Sequence, residues 1–126
     1  MINCTQPTFE DLRSKEWLIT NGIGGYASGT LSGANSRRYH GMLVASLNPP
    51  TNRKVLVGKV EESIALRRDH QIELSANQYP NAVHPKGYQY LTEFEQNPLP
   101  TFRYEINGHI LQKSIWFNYI FYGIRI

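Results

Sequence analysis

The feature that most restricts the fold lies near the end of the chain. Phe102, Tyr104 and Ile106 alternate with Thr101, Arg103 and Glu105, and Asn107-Gly108 follows at once. Alternation at period two describes a strand with one buried face. Asn-Gly is the pair that best tolerates positive φ at both centres of a type I′ turn. A two-residue turn sets Ile106 opposite His109 and Tyr104 opposite Leu111, and the apolar face then continues through Ile115 and Phe117. A sharply registered hairpin of this kind demands a sheet around it. No convincing amphipathic helix occurs anywhere in the 126 residues. The expected class is all-β: a largely antiparallel β-sandwich, since a one-faced sheet needs a second layer to cover it.

Other segments read as strands around that hairpin. Trp17–Thr20 enters a glycine loop, and Ser28–Gly33 is a weaker strand because Gly29 and Gly33 suggest bulges. Tyr39–Leu47 carries apolar residues at both parities, as a central strand covered on both sides does. Asn48–Asn52 holds two prolines and reads as a loop. A long strand is expected over Lys54–Leu66, turning at Arg67–His70 into a strand over Gln71–Leu74. Ser75–Gln89 contains Pro80, Pro85 and Gly87 and reads as a long surface loop studded with Tyr79, His84, Lys86 and Tyr88. Leu91–Glu95 is a short strand. Met1–Lys15 is polar, anchored by Phe9 and Leu12, and forms either a helical turn or a loose arm.

The chemistry-bearing stretch is Glu16–Ala45. Five of the ten glycines fall in it before Arg37, at a density that marks positive φ or close approach of backbone. Arg37-Arg38-Tyr39-His40 follows, just before an apolar strand. On a continuous strand, Arg37 and Tyr39 would share one face, and Arg38 and His40 the other. One pair then projects into a ligand-binding cleft while the other binds neighbouring backbone or carboxylates. The plainer reading is that all four buttress the glycine loop or a domain interface. It is favoured for Arg37 and Arg38, while for Tyr39 and His40 the two weigh equally.

Several chemistries are set aside. Gly22-x-Gly24-x-x-Ala27 fits a dinucleotide loop on paper, but Gly29 and Gly33 replace the helix whose N-terminus must meet the pyrophosphate. Glu93/Glu95 and Glu61/Glu62 are spaced as glycosidase carboxylates can be, yet alternating Glu is ordinary on a half-exposed strand. No residue is therefore taken as catalytic. His40, His70, His84 and His109 lack metal-ligand spacing, so no metal and no cofactor are expected. The net charge is +3, and no Asp or Glu lies between Trp17 and Val60. The basic residues there are too sparse for a nucleic-acid interface and fit acidic residues of another domain or of the chain's own strands. The lone Cys4 fits a reducing compartment, and no leader or apolar span is present, so a cytoplasmic protein without membrane contact is expected.

TNGIGGYASGT followed by NSRRYHGMLVA resembles the opening domain of the bacterial and archaeal type of glycogen debranching enzyme (amylo-α-1,6-glucosidase). LNPPTNRKVL, YPNAVHPKGYQYLTEF and PLPTFRYEINGHILQKSIWF are similar to the same domain, in the same order. The resemblance spans about Phe9 to Phe117 and implies a β-rich, supersandwich-like N-terminal module. In that family the glucosidase chemistry belongs to a helical barrel downstream, which this sequence lacks. The implied role is non-catalytic: support of α-glucan binding (glycogen or maltooligosaccharide) and of a glucosidase domain or chain. The alternatives are an interaction module that docks on a separate catalytic chain, or a non-functional remnant. Candidate substrate-binding or interface residues are Asn21, Gly24, Gly25, Arg37, Arg38, Tyr39, His40, His84 and Tyr88. The expected division is an N-terminal arm over 1–15, the sandwich over 16–117, and a divergent end over 118–126. That end matches the family pattern poorly, would leave a sheet edge exposed at Phe117, and suggests a truncated or split form of a longer protein.

Overall fold

The computed structural model describes residues 2–4, 6–68, 70–118 and 121–125. In order the chain forms β1 (Ile2–Asn3), α1 (Phe9–Arg13), β2 (Glu16–Thr20), β3 (Tyr26–Thr30), β4 (Gly41–Asn48) and β5 (Thr51–Val57). It continues through β6 (Ser63–Arg67), β7 (His70–Glu73), β8 (Ala76–Tyr79), β9 (Ala82–Lys86) and a 3-10 turn at Gly87–Tyr90. The last strands are β10 (Leu91–Glu95), β11 (Thr101–Ile106), β12 (His109–Asn118) and β13 (Phe121–Arg125). One antiparallel sheet runs β1-β10-β11-β12-β13 and a second β2-β3-β4-β5, while β6-β7 and β8-β9 are small hairpins.

The two larger sheets share one core, so the architecture is the all-β, antiparallel sandwich that the alternation implies. Trp17, Ala27 and Met42 from one sheet pack with Phe94, Phe102, Tyr104, Ile106 and Ile115 from the other. Trp17 meets the Phe102 ring edge-on at 6.1 Å. Each large apolar side chain buried as completely as Leu91, Ile106 or Ile115 stabilises the fold by about 1.5–3 kcal/mol. The β11–β12 hairpin has the register its sequence dictates, Ile106 opposite His109 and Tyr104 opposite Leu111. Asn107 and Gly108 both take positive φ, 49° and 82°.

Elsewhere the structure corrects the sequence reading. The long strand over 54–66 is two strands, β5 and β6, separated by residues 58–62. That segment leaves the ladder because its backbone is bound from outside: Asn35 Nδ2 donates to Gly58 O at 3.0 Å, and Leu74 N donates to Glu62 O at 2.9 Å. The expected loop over 75–89 is the β8–β9 hairpin followed by the 3-10 turn. Pro80 and Asn81 form its two-residue connection, so Pro80 never needs a ladder hydrogen bond. Pro49-Pro50 is likewise a two-residue connection, with Asn48 paired to Thr51. The N-terminal segment takes the helical alternative. Thr8 Oγ1 caps α1 by accepting from Asp11 N at 3.2 Å, and Leu12 is buried. β1 pairs with β10. β3 begins two residues before the expected Ser28 and ends at Thr30. After Phe117 the chain forms β13, which pairs along β12 from Ser114 to Asn118, so the β12 edge is covered. Asp69, Tyr119, Ile120 and Ile126, which belong to the expected turn and divergent end, lie outside the described residues.

Candidate functional site

Glu16, which the sequence reading passed over, organises the Arg37–His40 cluster. Residues 37–40 form a turn rather than a strand, with His40 N donating to Arg37 O at 3.1 Å, so the expected split onto two faces does not occur. The turn instead folds three of the four side chains onto one carboxylate oxygen. Glu16 Oε1 accepts from His40 Nε2 at 2.7 Å, Arg37 Nε at 2.8 Å and Tyr39 Oη at 3.1 Å. His40 Nδ1 accepts from the backbone N–H groups of Ser36 and Arg37, at 3.0 and 3.1 Å. With that nitrogen committed as an acceptor, the ring proton sits on Nε2 and points at Glu16. The His40 hydrogen bond, followed by those from Arg37 and Tyr39, holds the Glu16 carboxyl below the usual glutamate range. Burial, then the bond to Glu16, pushes the Tyr39 phenol up.

The two aromatic members of the cluster have different surroundings. The His40 side chain is fully buried, whereas Tyr39 is half exposed. The Tyr39 ring stands edge-on to the imidazole at 5.1 Å, with the Arg37 guanidinium 6.0 Å from its centroid. Arg38 is exposed and makes no hydrogen bond or ion pair among the described residues.

Tyr39 also borders an open groove of about 400 Å³ on the outer face of the four-stranded sheet. Leu18, Thr20 and Tyr26 share that face, by the pairing of Leu18 with Ser28 and Thr20 with Tyr26. The glycine loop closes one end through Gly22, Gly24 and Gly25, and Arg53 of β5 lines it too. Asn21 shapes the loop: its Oδ1 accepts from Ile23 N at 3.1 Å and Gly25 N at 2.9 Å. Gly24 has φ +98°, and a Cβ there would lie 2.8 Å from Pro50 O, so only glycine lets the loop rest on the β4–β5 turn. Arg53 Nε donates to Gly24 O at 2.7 Å and locks that approach. Tyr26 Oη donates to Tyr39 O at 2.9 Å, which joins the start of β3 to the turn beside the groove.

Of the residues singled out from sequence, Asn21, Gly24, Gly25, Arg37, Tyr39 and His40 form this assembly. His84 and Tyr88 do not belong to it. His84 is exposed on β9, and Tyr88 packs against Phe9 with ring centroids 5.5 Å apart. Tyr90 packs against the core as well, while Tyr79, within the expected 75–89 loop, is exposed.

A second cluster lies between the sheets. Lys113 faces inward on β12, ion-paired to Glu62 at 3.0 Å, with its ammonium 4.8 Å from the Phe102 centroid. Burial opposes its charge, but Tyr104 and Glu62 outweigh that and raise its pKa. The adjoining cavity, about 40 Å³, admits water but not a sugar. The signal was present in the sequence: Lys113 falls on the parity of Leu111 and Ile115. The remaining acid candidates are committed to cations or amides, Glu93 to Arg103 at 2.8 Å and Glu61 to Asn77 at 2.7 Å, apart from Glu95. Among the described residues no group of His, Cys, Asp and Glu is arranged to hold a metal, and no helix is long and apolar enough to cross a membrane.

A family model described as glycogen debranching enzyme N terminal matches residues 15–120. Comparison with curated proteins and with solved structures returned no significant match.

Proposed function

Because the chain belongs to the family of glycogen debranching enzyme N-terminal domains, we propose that it is a non-catalytic module that holds α-glucan in the groove beside the glycine loop and supports a glucosidase domain. The observation that carries this reading is the groove itself. Its apolar floor and the half-exposed Tyr39 ring offer the flat surfaces on which pyranose rings stack, and Arg53 and the loop backbone offer polar partners for hydroxyls. Glu16 fixes the Tyr39 phenol before any ligand arrives, which lowers the ordering cost of binding. No carboxylate pair is assigned to bond cleavage, so hydrolysis is left to the glucosidase domain. The same reading places the protein in the cytoplasm, where the single buried thiol of Cys4 stays reduced.

Titration with a maltooligosaccharide tests this. Tyr39→Ala should weaken binding roughly tenfold, about 1.4 kcal/mol, while Tyr79→Ala, an exposed tyrosine outside the groove, should leave it unchanged. Equal affinities for both variants and the wild type would remove the groove from the account.

A further inference from the structure

The four-stranded sheet has two edges, and the chain treats them differently. At the β2 edge the Gln96 side chain closes onto Leu18. The Leu18 N–H donates to Oε1 at 3.4 Å, and Nε2 donates back to Leu18 O at 2.9 Å, as a neighbouring strand would. The β5 edge has no such cover among the described residues. Six of its seven residues are exposed, including Val55 and Leu56 at more than half of their surface. Among the described residues, no group outside the β4–β5 hairpin hydrogen-bonds to its backbone.

An open edge offers unpaired N–H and C=O groups to any extended chain, and its side chains decide which chain is accepted. β5 carries Arg53 and Lys54 and no acid. Among the described residues, Arg53 spends Nε on Gly24 O and its terminal nitrogens bond to nothing, and Lys54 has no partner. A second copy is a poor match. Antiparallel pairing centred on Lys54 sets Lys54 against Lys54, and parallel pairing in register stacks Arg53 on Arg53 and Lys54 on Lys54. The ladder irregularity at Leu43/Val44 adds a local kink that also discourages flat edge-to-edge stacking of copies. These devices repel basic strands and favour acidic ones.

We infer that β5 is a docking edge that adds one extended, acidic strand from a separate polypeptide segment, with carboxylates opposite Arg53 and Lys54 and apolar side chains against Val55 and Leu56. The inference does not depend on glucan binding. A maltooligosaccharide titration on the same sample separates failure of one from failure of the other.

The test uses the full chain and two capped, strand-length peptides of Val and Thr, one with central Glu residues and one with central Lys. Backbone amide exchange is followed with each. The Glu peptide should slow exchange in β5 by about tenfold or more at low ionic strength, and the protection should fall as salt is added. The Lys peptide should give none, and Lys54→Glu, an exposed change that leaves Arg53 offset by one carboxylate, should abolish the preference for the Glu peptide. Unchanged β5 exchange with the Glu peptide, equal protection by both peptides, protection confined to another strand, or β5-mediated dimers of the chain alone would each overturn the inference.

Discussion

His40 accepts two backbone N–H groups at Nδ1 and donates a hydrogen bond from Nε2 to Glu16. Removing the buried ring orphans both donors and one carboxylate interaction, all of them partly buried. His40→Ala should therefore lower stability by about 1–3 kcal/mol, read from thermal or urea melts. Tyr39→Ala, at a half-exposed position, should leave the melt nearly unchanged. On the proposed reading, the turn therefore divides into a buttress, His40, and a recognition residue, Tyr39. Glu16 supplies a pH dependence as well. Its folded pKa lies below the ordinary value of 4.5, so its contribution is complete above that value and is lost as the pH falls through the depressed one. The stability gap between wild type and Glu16→Gln should accordingly narrow as the pH drops below 4.5. An unchanged gap would mean that the three hydrogen bonds do not favour the ionised carboxylate. The Arg-Arg-Tyr-His run was legible from sequence as a cluster, but its partner was not. Glu16 lies 24 positions from His40, and the two meet only because β2 pairs with β3 and β3 with β4.

At the scale of the element, the β11–β12 hairpin was readable because its information is local: alternation fixes the faces and Asn107-Gly108 fixes the turn. Gly108→Val should cost about 1–3 kcal/mol from backbone strain alone, since a Cβ there meets no atom within 4 Å. A melt unchanged by that substitution would rule out strain at this turn. The 54–66 segment was misread because hydrophobic parity persists across the break, while the contacts that end β5 come from Asn35 and Leu74. Lys113 shows the converse. Its parity announced burial, but only the fold supplies Glu62, from 51 residues away. Breaking the pair by Lys113→Ala should cost about 3–5 kcal/mol, because Glu62 is left buried without its cation. Lys113→Met combined with Glu62→Leu should lose far less than Lys113→Ala, as melts of the two variants would show.

For the molecule as a whole, two antiparallel sheets sharing one core follow from period-two patterning and the lack of an amphipathic helix, and both are visible in the chain. What patterning cannot give is which loops meet outside the core. The groove exists because the glycine loop, the Arg37–His40 turn and Arg53 converge over the outer face of the second sheet. Binding of α-glucan there is the central claim, and residue-resolved chemical-shift mapping with a maltooligosaccharide tests it most directly. Saturable shifts confined to residues 18–26, Tyr39 and Arg53 are expected. The absence of shifts at saturating sugar, or shifts centred on the β6–β9 hairpins instead, would contradict it.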